Sequence, residues 1–126
     1  MKILLDTHML LWALLDEKHV PRAARNWITN PRNIVLVSAA SVWEIAVKHA
    51  LGKLKVQLLD FEDALVACNM TPLSVTMRHA TEVSNLPLYH RDPFDRLLIA
   101  QCIVETAQLL THDSRLKQYG KVVLAV

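Results

Sequence analysis

Short apolar runs alternate along this chain with longer stretches whose apolar residues fall at helical spacing. Lys2–Leu5 is a brief apolar run ending in Asp6-Thr7, the pattern of a strand followed by a turn. His8–Leu15 carries Leu11, Trp12 and Leu15 at helical spacing. Pro21–Thr29 then places Ala24, Trp27 and Ile28 on one helix face before Asn30-Pro31 stops it. Ile34–Val37, apolar and mostly β-branched, predicts a central strand. Ser38 is a good N-cap for a helix over Ala39–Leu51, closed by Gly52 just beyond its end. That helix is apolar nearly all round, through Val42, Trp43, Ile45, Ala46, Val47 and Leu51. One face fills the core, and the other calls for a subunit or partner.

Leu54–Leu58 reads as weak strand or loop, Phe61–Asn69 as a helix, Met70–Leu73 as a short strand, and Thr76–Ser84 as a helix ended by Asn85-Leu86-Pro87. The stretch DPFDRLLIAQCIVETAQLLTHD, Asp92–Asp113, is the most sharply patterned. Asp92 sits where an N-cap belongs, Pro93 at the first helical position and Asp95 in the first turn. Leu97, Leu98, Ile99, Ile103 and Val104 give an apolar face, and Thr106-Ala107-Gln108 breaks the pattern. Gln108–Thr111 then predicts a buried strand that delivers His112 and Asp113 past its C-terminal end. Ser114–Tyr119 suits one helical turn and Val122–Leu124 an edge strand. Strands alternating with helices imply an α/β fold, a three-layer α/β/α sandwich around a mostly parallel sheet of about four or five strands. In such sheets ligands sit outside the C-terminal strand ends, where strand order reverses.

Composition narrows this picture. The 126 residues suit one domain with a real core, and 52% hydrophobic residues with only 2 Gly exclude a disordered chain. A net charge of +2 is too small to name a nucleic-acid partner by itself. Cys68 and Cys102 lack CxxC spacing and read as two buried thiols of a reducing cytosol. Met1–Leu15 is apolar but interrupted by Asp6 and His8. It makes a poor signal peptide and is too short to span a bilayer, so the expectation is a cytoplasmic protein without membrane attachment.

Each notable acid has a plain explanation. Asp6 and Asp113 suit caps of the segments that follow them, Asp92 caps the helix that Asp95 begins, and Glu44 completes a capping box with Ser41. Taken together they suggest more. Glu44 lies nearly two turns inside its helix among apolar residues, a costly place for a charge with no counter-ion. Asp6 and Asp113 end strands that should be neighbours, and Asp95 begins the helix feeding the second. Acids brought that close raise one another's pKa unless a cation joins them. Oxygen-only ligands favour Mg²⁺ or Mn²⁺ over zinc or copper. A metal so held activates water and polarises a phosphoryl oxygen, which points to a phosphodiester substrate.

Lys48, Lys53, Lys55, Arg91, Arg96 and Arg115 flank the acids and suit contacts to a polynucleotide backbone, or plain surface charge. Arg96 suits a brace for Asp95, a stabiliser of transition-state charge, or a simple ion pair. His8, His90 and His112 lie beside the site, and His112-Asp113 raises a zinc-dyad alternative. Adjacent strand residues point to opposite faces, however, so each histidine is expected at the surface or hydrogen-bonded. Trp12, Trp27 and Trp43 suit core or interface positions.

The segments LLDTHMLLWALL, SAASVWEIAVKHALGKL, HRDPFDRLLIAQC and LLTHD resemble the PIN-domain ribonucleases, in particular VapC-type toxins of bacterial toxin–antitoxin pairs. The resemblance runs nearly end to end. It implies a metal-dependent endoribonuclease acting on RNA, and a homodimer neutralised by a small VapB-type antitoxin that blocks the active site. Carried over residue by residue, the acidic quartet falls on Asp6, Glu44, Asp95 and Asp113, holding Mg²⁺ or Mn²⁺. Thr7 and Thr111 match small hydroxyl positions near the site. Asp95 aligns with the third acid because it stands directly before RLLIAQC, while Asp92 is a cap, an outer support, or that acid itself. Arg91, Arg96 and Arg115 are the candidate RNA contacts. Two readings of other kinds stand beside this one. A phosphate-handling domain of phosphatase or receiver type would want an Asp after the first strand, but a phosphatase also wants a second Asp where this chain has His8. A non-catalytic interaction module would use the acids only as caps.

Overall fold

A computed structural model describes residues 1–126. Five strands, β1 (Lys2–Leu5), β2 (Ile34–Ser38), β3 (Met70–Leu73), β4 (Gln108–Thr111) and β5 (Val123–Ala125), form one sheet in the order β3-β2-β1-β4-β5. Every pairing is parallel. The helices are α1 (Thr7–Leu15), α2 (Arg22–Thr29), α3 (Ala39–Ala50), α4 (Phe61–Ala67), α5 (Met77–Glu82) and α6 (Pro93–Glu105), with 3₁₀ turns at Glu17–His19, Val83–Asn85 and Ser114–Val122.

The alternation of strand side chains builds two cores. Ile3, Leu5, Val35, Val37 and Leu110 face one side, where they pack with Met9, Leu10, Ala24 and Leu65. Leu4, Leu36 and Leu109 face the other and pack with Leu98, Ile99, Cys102 and Leu116. Burying each of these large side chains contributes about 1.5–3 kcal/mol, so the central strands β1 and β4 are fixed from both faces. Pro72 is tolerated because β3 is an edge strand, bonded only to β2.

The chain steps outward from β1 to β2 to β3, then returns to the far side of β1 for β4 and β5. Strand order therefore reverses between β1 and β4, and a crevice opens beyond their C-terminal ends. Asp6 and Asp113 are the residues delivered there.

Several sequence expectations need correction. Helix α1 starts at Thr7, one residue early, because the Asp6 side chain caps it. Of the two readings of Leu54–Leu58, the loop is the one that holds: Leu54, Val56 and Leu58 pack on the core, but no strand pairs with this segment. Helix α4 stops at Ala67, and Asn69 turns the chain with φ 60°. Helix α5 ends at Glu82 and continues as a 3₁₀ turn. The segment after Asp113 runs to Val122 with a kink at Gly120, so β5 starts one residue later than expected. Cys68 is exposed, and only Cys102 is buried. The outer face of α3 is open as expected, with Trp43 61% and Val47 37% exposed, although the helix ends at Ala50, one residue before Leu51. No helix is long and apolar enough to cross a membrane.

Thr106 ends α6 in the left-handed region at φ 55°, a costly place for a β-branched side chain. Thr106→Gly is expected to raise stability by about 1 kcal/mol, read as a higher urea midpoint at unchanged slope.

Candidate active site

Asp6 follows β1 directly, and its backbone N–H extends the ladder to the Leu110 carbonyl at 3.1 Å. Its Oδ1 accepts the Met9 N–H at 2.7 Å, capping α1, and its Oδ2 accepts the Thr111 hydroxyl. The Thr111 oxygen in turn accepts the Asp113 N–H at 3.0 Å. One threonine thus ties the ends of β1 and β4 together. Burial pushes the Asp6 carboxyl above the usual carboxylate range, against the lowering effect of the bonds from Thr111 and Met9.

Asp95 enters from the first turn of α6. Burial, and then the neighbouring Asp92 charge, push its carboxyl up to about 6, while a hydrogen bond from His90 works the other way. His90 Nε2 lies 2.9 Å from Asp95 Oδ2. Asp92 is committed as the cap, since its Oδ1 accepts the N–H groups of Phe94 at 2.8 Å and Asp95 at 3.3 Å. Asp113 caps its own 3₁₀ turn through the Arg115 N–H. The Arg115 side chain grips both its oxygens, at 3.0 and 2.8 Å. Those hydrogen bonds hold Asp113 below the usual carboxylate range. Capping and membership of the site therefore coexist in the same carboxylates.

Glu44 projects from the second turn of α3 and is 9% exposed. The expectation of a buried acid without a counter-ion is overturned here: Lys48, one turn on, lies 3.0 Å from its Oε2.

These side chains border one cavity of about 320 Å³ whose ten lining residues include no hydrophobic one. Five are carboxylates, Asp6, Glu44, Asp92, Asp95 and Asp113, set against the cations Lys48 and Arg115. Thr7, His8 and His90 complete the wall. Within it, one ligand atom each from His90, Asp95 and Asp113 lie within 4.8 Å of one another. Asp6 and Glu44 line the same cavity outside that tight group. The Thr7 hydroxyl is buried with no hydrogen-bond partner. A larger cavity of about 580 Å³ lies where α3, α4 and β3 meet, but seven of its twelve lining residues are apolar and none of the four predicted acids borders it.

This donor set fits a divalent cation. It offers clustered carboxylate oxygens, an orphaned hydroxyl, and two acids whose ionisation is held back by burial.

The predicted RNA contacts fare unequally. Arg91 is exposed. Arg115 is 74% exposed at its side chain while holding Asp113. Arg96 does not bond Asp95 and is engaged within the protein. Its guanidinium donates to the carbonyls of Pro87, His90 and Val83 and to the Tyr119 hydroxyl. The zinc dyad does not form, because the His112 ring bonds the Val126 carbonyl and packs edge-on to Trp12. His90 is the site residue that sequence patterning undervalues. Its only local signal is its place in the irregular run NLPLYHRDP, just ahead of the capped helix.

The PIN-domain family profile matches residues 3–122. Ribonuclease VapC16 of Mycobacterium tuberculosis (strain ATCC 25618 / H37Rv) is 40% identical over 55 residues, which is 41% of this chain and 39% of that protein. The similarity therefore spans well under half of that relative. VapBC2 from Rickettsia felis, solved bound to a DNA fragment from their promoter, aligns over 100% of this chain and 98% of that chain with a TM-score of 0.69 at 16% identity. A toxin–antitoxin complex from Klebsiella pneumoniae aligns over 98% and 96% with a TM-score of 0.66 at 14% identity. VapBC-1 from nontypeable Haemophilus influenzae aligns over 99% and 98% with a TM-score of 0.59 at 16% identity. At such identities the structural matches establish a common fold. With a profile that runs from Ile3 in β1 through β2, β3 and β4 and ends just before β5, and acids gathered beyond β1 and β4, this chain belongs to the PIN-domain family.

Proposed function

We propose that this protein is a metal-dependent endoribonuclease, the toxin of a toxin–antitoxin pair, acting on RNA in the cytoplasm with Mg²⁺ or Mn²⁺. The observation that carries the proposal is the cavity of about 320 Å³ with five carboxylates and no hydrophobic lining residue. Asp6, Glu44, Asp95 and Asp113 would hold the ion, with the Thr7 hydroxyl at the cavity wall beside them. When bound, the ion supplies a water of lowered pKa and polarises a phosphoryl oxygen. The protein's own part is positional. Thr111 and the Met9 N–H fix the Asp6 carboxylate before any ligand arrives. Lys48 holds the Glu44 carboxylate, and His90 that of Asp95. Arg115 and Arg91 are the cations exposed near the acids and suit a backbone phosphate.

The structurally similar proteins are a toxin–antitoxin complex from Klebsiella pneumoniae and VapBC structures from Rickettsia felis and Haemophilus influenzae, and these support a VapB-type antitoxin partner. The open apolar face of α3 supports a homodimer or that partner as its cover. A phosphatase-like role for Asp6 as nucleophile is opposed by its burial, 6% exposed with both oxygens bonded.

The test is cleavage of single-stranded RNA with Mn²⁺ or Mg²⁺, with and without chelator. The expected result is cleavage that EDTA abolishes. A Mn²⁺ concentration one hundred times its Kd should also stabilise the fold by about 2.7 kcal/mol. Cleavage that persists in EDTA would overturn the proposal.

A further inference from the structure

We infer that His90 is a nitrogen ligand of the ion in this cavity, and that the site therefore selects a divalent first-row transition ion over Mg²⁺. This rests on the metal-dependent reading above and adds to it a residue outside the acidic quartet.

The His90–Asp95 spacing is that of adjacent ligands on one ion, and Asp113 lies near enough to join them after a small shift. Around an octahedral cation with bonds of about 2.1 Å, adjacent ligand atoms lie about 3 Å apart and opposite ones about 4.2 Å. His90 Nε2 and Asp95 Oδ2 are 2.9 Å apart. With an Asp113 oxygen they form a group spanning at most 4.8 Å. Exchanging the hydrogen bond between His90 and Asp95 for a shared cation therefore needs almost no movement. Both side chains are largely shielded, at 14% and 21% exposure.

His90 is also held in place from the other side. Its N–H donates to the Tyr119 hydroxyl at 3.1 Å, and its carbonyl accepts from Arg96 at 3.4 Å. A residue in an otherwise irregular loop is thus fixed at both backbone groups, which limits where its ring can reach. The acids do not make the case alone. The Thr7 side chain, in a residue 4% exposed, borders the same cavity with an unpartnered hydroxyl.

Mg²⁺ prefers oxygen donors and gives up its water reluctantly, whereas imidazole nitrogen suits the later divalent ions. One histidine among carboxylates thus separates the two classes without excluding Mg²⁺ outright.

The probe is Mn²⁺ added to the full chain. Pulsed electron paramagnetic resonance of the bound Mn²⁺ is expected to show nitrogen-14 coupling in the parent and to lose it in His90→Ala. Calorimetric titration with Ni²⁺, a later ion that favours imidazole, should show a loss of affinity of roughly ten- to hundredfold in that variant, with Mg²⁺ affinity changed less than about threefold. His90→Gln keeps a hydrogen bond to Asp95 but offers no ring nitrogen, and it should behave like His90→Ala. The inference is overturned if parent Mn²⁺ shows no nitrogen coupling, if the coupling survives in His90→Ala, or if both ions lose affinity equally. RNA cleavage reports separately. Nitrogen-coupled Mn²⁺ without cleavage would sink the nuclease proposal and leave this inference standing. Mn²⁺-dependent cleavage without the coupling would do the reverse.

Discussion

Asp95→Asn should sharply reduce RNA cleavage and, in metal-free buffer, make the protein more stable. The two effects have one cause. Burial and the Asp92 charge raise the Asp95 carboxyl from 3.8 to about 6 in the folded state. Two pKa units correspond to about 3 kcal/mol, at about 1.4 kcal/mol per unit. Because the folded pKa is raised, the group favours folding most below about pH 4, and that benefit is lost as pH rises through 6. Above 6 the folded chain carries a charge it would rather shed. Asparagine removes that charge while keeping the size. The expected gain is up to about 3 kcal/mol at pH 7.5, shrinking toward zero near pH 4. With Mn²⁺ in excess the order should reverse, since only the parent gains binding energy. Cleavage should fall by about a hundredfold or more, as when a pre-positioned electrostatic group is removed. Melting curves of both proteins in EDTA and in Mn²⁺ across this pH range check the claim. A variant no more stable than the parent in EDTA at pH 7.5 would contradict it.

Arg96→Met should cost about 2–4 kcal/mol, the largest loss expected from any single surface-facing residue near the site. The methionine keeps much of the apolar stem but loses donors to Pro87, His90, Val83 and Tyr119, at 3.0 to 3.4 Å. Each hydrogen bond from a charged group contributes about 1.5–3 kcal/mol, less where water competes. Arg96→Lys should rescue little, because a single ammonium cannot replace the planar fork. The loop carrying His90 would loosen, so Mn²⁺ affinity should fall along with stability. If Arg96 were instead a contact to RNA, Arg96→Met would raise KM and leave the melting temperature unchanged. Chemical denaturation and steady-state cleavage together separate the two outcomes.

The parts of the fold that are legible in sequence are those set by local or periodic chemistry. Strands such as Lys2–Leu5 and Gln108–Thr111 can be read because both faces of the sheet are buried, leaving uninterrupted apolar runs with polar residues at their ends. Ser38, Asp92 and Gly52 mark helix ends because capping chemistry is local. The convergence of Asp6 and Asp113 follows from adjacent parallel strands. Arg96 is easily misread because its acceptors are carbonyls of an irregular loop and a hydroxyl 23 residues away, which no periodic pattern encodes. Glu44 differs in kind. Lys48 stands at the i,i+4 spacing that pairs charges on a helix, so its partner is the acid rather than the substrate. Leu54–Leu58 alternates like a strand, yet it finds no edge to pair with.

The most direct test of the central claim is anomalous scattering from a crystal of the chain grown with Mn²⁺. One or two peaks are expected inside the cavity beyond β1 and β4, within bonding distance of Asp95 and Asp113. A fully ordered cavity with no peak, or manganese bound only elsewhere, would contradict it.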